Sequence, residues 1–206
     1  MKICRIAISY PTKKSPGAGL VGYYLCKYIM APSIYITINR DNGDFLPEEK
    51  NFKIVPIKIP LKASSRSLNH SLHQHNQTFL QRILIYFKLA ISARSIRFLF
   101  NSIPEVIGFK PDIICCHSNL TIFNGLFFNI FFRTKFVLHI HAMSDAIAIV
   151  NLPLLRIIVT RASRVYCISD SVMKKLREVL PAYKLSLTST GVDPKIFYKI
   201  ETKRKR

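Results

Sequence analysis

The chain is 206 residues long and sets 31 lysines and arginines against 11 acids, a formal net charge of +20. That length suits one domain able to bury a core without staples, and a composition 49% hydrophobic and 11% aromatic excludes intrinsic disorder. Seven glycines and no internal repeat exclude collagen-like and solenoid chains.

Ile3 to Tyr10 is apolar and β-branched and stops at Pro11, which predicts a buried strand. A loop rich in proline and glycine, Pro11 to Gly19, leads to a helix over Leu20 to Ile29, with Leu20, Tyr23, Tyr24 and Lys27 at helical spacing. Strands are expected over Ser33 to Asn39 and Phe52 to Ile59, separated by the turn-rich Arg40 to Asn51. Lys62 to Gln77 reads as a polar loop, and Thr78 to Ser102 as a long helix carrying Arg82, Lys88, Arg94 and Arg97. Next come a strand from Asp112 to Ser118, a helix from Leu120 to Phe132, and a strand from Phe136 to His141. A helix from Leu154 to Ala162 behind Pro153 and a strand from Arg164 to Ile168 continue the alternation. Ser169-Asp170-Ser171 caps a helix reaching Val179, and Lys184 to Thr188 forms the last strand. Strands alternating with helices predict an α/β fold: a single domain with a doubly wound, mostly parallel Rossmann-like sheet and helices on both faces.

Cys4, Cys26, Cys115, Cys116 and Cys167 are odd in number and lack a C-x-x-C pair. They read as buried free thiols of a reducing compartment. Ile6 to Tyr10 is too short for a secretory signal. Ile113 to Phe132 is uncharged and as long as a bilayer span, but His117, Ser118, Asn119, Asn124, Gly125 and Asn129 interrupt it. It reads as a strand followed by a helix.

In open α/β sheets, ligands bind beyond the carboxyl ends of the strands at a topological switch point. Those ends deliver Gly17 and Gly19 after the first strand, His117 and Ser118 on the fourth, His141 on the fifth, and Ser169 with Asp170 after the sixth. Strand ends that simply reach solvent would also be polar, so both readings stay open here. Gly17-Ala-Gly-Leu-Val-Gly22 has the G-x-G-x-x-G form, a backbone cradle for phosphate at a helix N-terminus. The residues Pro11 to Pro16 intervene, which weakens a dinucleotide reading and leaves close helix packing as the alternative. His139 and His141 share a strand face and, with His117 or Cys115, offer metal-ligand atoms. No acid or C-x-x-C accompanies them, and no metal is expected. His70, His73 and His75 read as solvated loop residues. There is no G-x-S-x-G, H-E-x-x-H or G-K-[ST], and no carboxylate between residues 50 and 104, which excludes two-carboxylate glycoside hydrolysis.

Residues 50 to 104 carry nine lysines and arginines, and the chain ends Lys203-Arg-Lys-Arg206. Such a field attracts polyanions. The basic, aromatic helix over Thr78 to Ser102 suits either an anionic membrane surface or a core position with a solvated basic edge. Nucleic acid ranks third, since no nucleic-acid motif accompanies the charge.

Several segments resemble the N-terminal half of family 4 glycosyltransferases. They are Met1-Lys-Ile with Ile6-Ala-Ile-Ser-Tyr-Pro11, the Gly17-Ala-Gly19 loop, Lys110-Pro-Asp-Ile-Ile114 with His117, and Phe136-Val-Leu-His-Ile-His141. Arg161-Ala-Ser-Arg-Val-Tyr-Cys-Ile-Ser169 with Ser171, and Gly191-Val-Asp-Pro-Lys-Ile-Phe197, complete the order. Ser163 and Thr190 stand where the family's segments have Asp and Asn. The resemblance implies a GT-B enzyme, two Rossmann-like domains facing across a cleft and usually metal-free, that transfers sugar from a nucleotide donor with retention. It implies that Gly17 and Gly19 approach the donor phosphates, that His141 is catalytic beside the reacting sugar, and that His117, Ser118 and Ser169 line the acceptor side of the cleft.

On that resemblance residues 1–197 are the N-terminal domain and 198–206 a basic tail leading to a donor domain. The family's donor half carries an E-x7-E motif, and that spacing occurs nowhere in this chain. The expectation is the acceptor-binding half of a glycosyltransferase for a membrane-associated glycolipid or surface polysaccharide, cytoplasmic and peripheral on the inner face of the membrane. It would take a nucleotide-diphosphate sugar as co-substrate, no cofactor, and a separate donor-domain subunit, with negligible transfer alone. The alternatives are a non-catalytic basic module on anionic membrane or nucleic acid, an inactive truncated remnant, and a dinucleotide-dependent oxidoreductase fragment.

Overall fold

The computed structural model describes residues 1–7, 17–29, 31–39, 47–48, 50–59, 93–117 and 121–188. In chain order these form β1 (Ile3–Ala7), α1 (Gly17–Tyr28), β2 (Ser33–Asn39), β3 (Phe52–Lys58), α2 (Ala93–Phe109) and β4 (Ile113–His117). There follow α3 (Ile122–Phe132), β5 (Lys135–Ile140), α4 (Met143–Asn151), α5 (Pro153–Arg161), β6 (Arg164–Cys167), α6 (Asp170–Leu176) and, after a short 3-10 turn, β7 (Leu185–Leu187). The seven strands form one sheet in the order β3-β2-β1-β4-β5-β6-β7, and every pairing is parallel. The strand order reverses between β1 and β4, which is the switch point of a doubly wound sheet.

Side chains alternate across a strand, so Cys4 and Ile6 point to one face, and Ile3, Arg5 and Ala7 to the other. The first face carries the main core. Ile6, Ile36, Cys116, Phe136 and Leu138 meet Phe98 and Val106 of α2, Ile122 and Phe128 of α3, Ile149 of α4, Ile158 of α5 and Leu176 of α6. On the second face α1 lays Tyr23 and Cys26 on Ala7, Tyr35, Phe52 and Ile54. Helices therefore cover both faces, as the alternation predicts.

Two glycines let helices sit this close. A Cβ at Gly22 would lie 2.5 Å from the Tyr35 ring, and one at Gly125 would lie 2.6 Å from the Cys116 sulfur and 2.7 Å from Phe136. Gly22, the last glycine of the G-x-G-x-x-G run, thus serves the packing alternative. All five cysteines are free and buried.

The structure departs from the sequence reading in three places. First, α1 begins at Gly17, so both candidate glycines are helical rather than part of a loop. Second, α2 continues through Pro104 to Phe109 instead of ending at Ser102. Its buried stripe, Phe98, Ser102 and Val106, keeps helical spacing across the proline, which faces solvent and costs one backbone hydrogen bond. Third, α4 is a helix where none is anticipated, buried through Ala146, Ala148 and Ile149. Ile113 to Phe132 does divide into β4 and α3, and among the described residues no single helix is long and apolar enough to cross a membrane. α4 and α5 together are apolar, but they meet at 105° and pack on the sheet through Ile149, Leu155 and Ile158. The loop Pro11 to Pro16, Ser118, Lys62 to Gln77, the first part of the helix expected from Thr78, Gly191 to Phe197 and the tail 198–206 lie outside the described residues.

Candidate functional site at the carboxyl edge of the sheet

Parallel register sets a row of side chains across the second face: Ala7 pairs with His117, His117 with His139, and His139 with Tyr166. The rings follow the row. His117 and His139 stack at 4.8 Å between centroids, and His139 and Tyr166 at 4.9 Å. One row earlier lies Arg5, paired with Cys115 and 2% exposed. One step beyond β5 stands His141, half-buried at the edge.

His141 turns back to His117, and its Nε2 lies 3.0 Å from His117 Nδ1. The two rings are within 12° of parallel with centroids 5.3 Å apart. A nitrogen contact that short at that centroid separation is an end-to-end hydrogen bond, not a face-to-face stack. The Thr121 hydroxyl donates to the His117 carbonyl at 3.0 Å and fixes the backbone leaving β4. The two nitrogens that do not face each other, His117 Nε2 and His141 Nδ1, are buried without hydrogen-bond partners, as are Nε and Nη1 of Arg5.

Burial sets the charge state. It holds the His117 imidazole well below its usual range, with His139, Arg5 and His141 adding to the effect. Burial, then Arg5 and His141, brings His139 down to about 3. Burial alone lowers His141. All three rings are therefore neutral at physiological pH.

Neutral imidazoles also ligate metals, and the ligand atoms of His117, His139 and His141 lie within 4.8 Å of one another. However, His117 and His141 point their facing nitrogens at each other across 3.0 Å. A zinc ion held at about 2.0–2.1 Å from each nitrogen fits only if both rings turn. The Arg5 guanidinium one row below adds positive charge. The arrangement suits a hydrogen-bonded pair better than a chelate.

The sequence model of Glycosyltransferase Family 4 matches residues 54–196, more than half of the chain. The chain belongs to glycosyltransferase family 4. Solved structures agree on the fold. Sucrose-phosphate synthase from Thermosynechococcus elongatus aligns with a TM-score of 0.67 at 14% identity, over 97% of this chain and 50% of that one. Anabaena Alr3699/HepE in complex with UDP-glucose aligns at 0.59 and 16% identity, over 95% of this chain and 45% of that one. The lipopolysaccharide outer core galactosyltransferase WaaB aligns at 0.56 and 13% identity, over 100% and 50%. This family 4 chain spans about half the length of these glycosyltransferases, whose fold is GT-B. No curated protein sequence matches it.

For the family 4 reading, the structure brings His117 and His141 into direct contact and places Ser169 at the same edge, where Ile168 donates its N–H to the Ile140 carbonyl. Ser169 is engaged as the N-cap of α6: its hydroxyl accepts from the Val172 N–H at 3.4 Å and lies 2.9 Å from the Ser171 hydroxyl. Gly17 and Gly19 lie in the first turn of α1, where backbone N–H groups lack intrahelical acceptors. Sequence reasoning missed Arg5 and Tyr166 as members of the site. A charged residue alone in the apolar strand Ile3–Ala7 was the one available signal for Arg5. Tyr166 joins only through register across β5 and β6.

Proposed function

We propose that this chain is the acceptor-binding half of a retaining, nucleotide-sugar-dependent glycosyltransferase. The reading requires a donor-binding partner half and takes a nucleotide-diphosphate sugar as co-substrate, with no cofactor. The observation that carries it is the His117–His141 pair at the carboxyl edge, beside the β1–β4 switch point, in a chain of this family. In this role His141 meets a hydroxyl of the transferred sugar and His117 holds it in place. In the same role the first-turn N–H groups of α1, at Gly17 and Gly19, meet the donor phosphates. The donor half neutralises the diphosphate leaving group, the charge on which catalysis most depends.

The acceptor in this proposal is a glycolipid or surface polysaccharide reached at a membrane's cytoplasmic face. Support comes from the end of α3, where Ile130, Phe131 and Phe132 are exposed, Phe131 to 68%, beside exposed Arg133 and Lys135. Exposed aromatics next to cations suit an anionic lipid interface. Flotation with vesicles rich in anionic lipid should carry the protein upward, and added salt or the Phe131→Ser, Phe132→Ser double variant should cut the floated fraction several-fold. Equal flotation of variant and wild type would remove this surface from the proposal.

Activity is tested by co-expressing the chain with a family 4 donor half. The pair is then assayed with UDP-, GDP- and ADP-sugars. Transfer is expected from the pair and not from this chain alone, and His141→Ala should lower kcat/KM by on the order of 10²-fold or more. Robust transfer by the lone chain, or full rate in His141→Ala, would overturn the reading.

A further inference from the structure

A single hydrogen-bonded proton lies between His117 Nδ1 and His141 Nε2, and both rings are neutral. Two arrangements satisfy this. In one, His117 donates from Nδ1, so its Nε2 is bare and His141 carries its proton on Nδ1. In the other, His141 donates from Nε2, so its Nδ1 is bare and His117 carries its proton on Nε2. Both rings thus share a tautomer, Nδ1–H in the first case and Nε2–H in the second. Only the first presents a hydrogen-bond donor at the outer end of the pair.

We propose that Arg5 selects the first arrangement, a buried cation fixing the pair so that His141 offers an N–H at Nδ1 to an oxygen atom of the ligand. The register supplies the geometry. Arg5 faces the same side of the sheet as His117, one strand over and one row nearer the amino end. Two residues of strand make that row spacing about 6.5 Å, and His141 lies a further row and a further strand away. The nitrogens of an imidazole point in nearly opposite directions. With Nδ1 of His117 turned to His141, its Nε2 is turned back toward β1, the strand that carries Arg5. A cation favours a lone pair on that nitrogen over an N–H. Arg5 perturbs His117 and His139, while His141 is perturbed by burial alone, consistent with a field that fades along the row.

The Arg5 guanidinium also donates a hydrogen bond to the Cys26 sulfur on α1, a neutral partner that leaves its charge unpaired. Arg5 is 2% exposed, and its Nε and Nη1 have no hydrogen-bond partner. Among the described residues no carboxylate pairs with it. An unpaired buried cation is costly to keep, and here its field is put to use. Arg5 acts through His117 and touches no ligand, so it is a positioning residue. The tautomer assignment stands on the fold alone. Only the identity of the ligand oxygen, a sugar hydroxyl, rests on the glycosyltransferase reading.

The test is long-range 1H–15N correlation NMR on the 15N-histidine-labelled chain, with His117 and His141 assigned from single substitutions. Both rings should show the Nδ1–H pattern, by at least about tenfold over the alternative, which is 1.4 kcal/mol. Arg5→Lys, which keeps the charge, should preserve that pattern, and Arg5→Met should erase or invert it. Nε2–H rings in the wild type would overturn the proposal even if Arg5→Met fails to fold. An unchanged pattern in folded Arg5→Met would overturn it too. No substrate is present, so this result is independent of whether sugar is transferred.

Discussion

Imidazoles that cannot take a proton make a fold sensitive to acid. His139 has a folded value of about 3, and His117 lies well below its usual range, both chiefly through burial. An unfolded histidine titrates near 6.5. Above that pH neither state binds the proton, and the histidines cost nothing. As pH falls below 6.5 the unfolded chain takes up protons that the folded chain refuses, so stability is lost until the folded value is reached. Between pH 7 and pH 5 the loss is about 2 kcal/mol for His139. In urea denaturation at the two pH values, the wild type should therefore lose about 2 kcal/mol more than His139→Gln between pH 7 and pH 5. An identical pH dependence in variant and wild type would show that His139 protonates freely in the fold. How much of this was legible in the sequence depends on the residue. His117 and His141 stand at strand ends, and a chain-order reading finds them. Arg5 shows in the sequence only as a charge in an apolar strand, and Tyr166 joins it through sheet register, which brings together residues 161 positions apart.

At the scale of elements, helix-to-sheet distance is set by two glycines that a Cβ would push outward. Gly125 sits on the Cys116 sulfur and the Phe136 ring, both fully buried. Neither neighbour has room to withdraw, so Gly125→Ala should cost about 1–3 kcal/mol by overpacking. Gly108, late in α2, has nothing within 4 Å of its missing Cβ. There the gain in helix propensity acts alone, and Gly108→Ala should stabilise by roughly 0.5–1 kcal/mol. Opposite signs in paired denaturant melts are the expected outcome, and equal signs would refute the packing argument. The order of strands and helices was readable because apolar runs and turn residues alternate cleanly. Two elements were not. Pro104 looks like a terminator, yet the buried stripe of α2 runs past it, since tertiary burial outweighs one lost hydrogen bond. Met143 to Asn151 lacks a side-chain cap at Ala142, so its start carried no local signal.

For the molecule as a whole, the two faces of the sheet are unequally clothed. Among the described residues, α2 to α6 join one core, and α1 alone covers the other face, over β1 to β3. The histidine row lies on that second face, beyond α1, with Tyr166 half-buried at its far end.

The five cysteines have a consequence of another kind. Four stand on strands and one on α1, and all are buried, with burial raising each thiol above its ordinary value. A thiol reagent reaches none of them while the sheet is intact, so labelling runs at the pace of unfolding. The protein carries a built-in stopwatch. In a pulse of reagent, each molecule should appear in mass spectrometry with either no modified cysteines or all five. A ladder of partly modified species would instead reveal one strand peeling away before the rest.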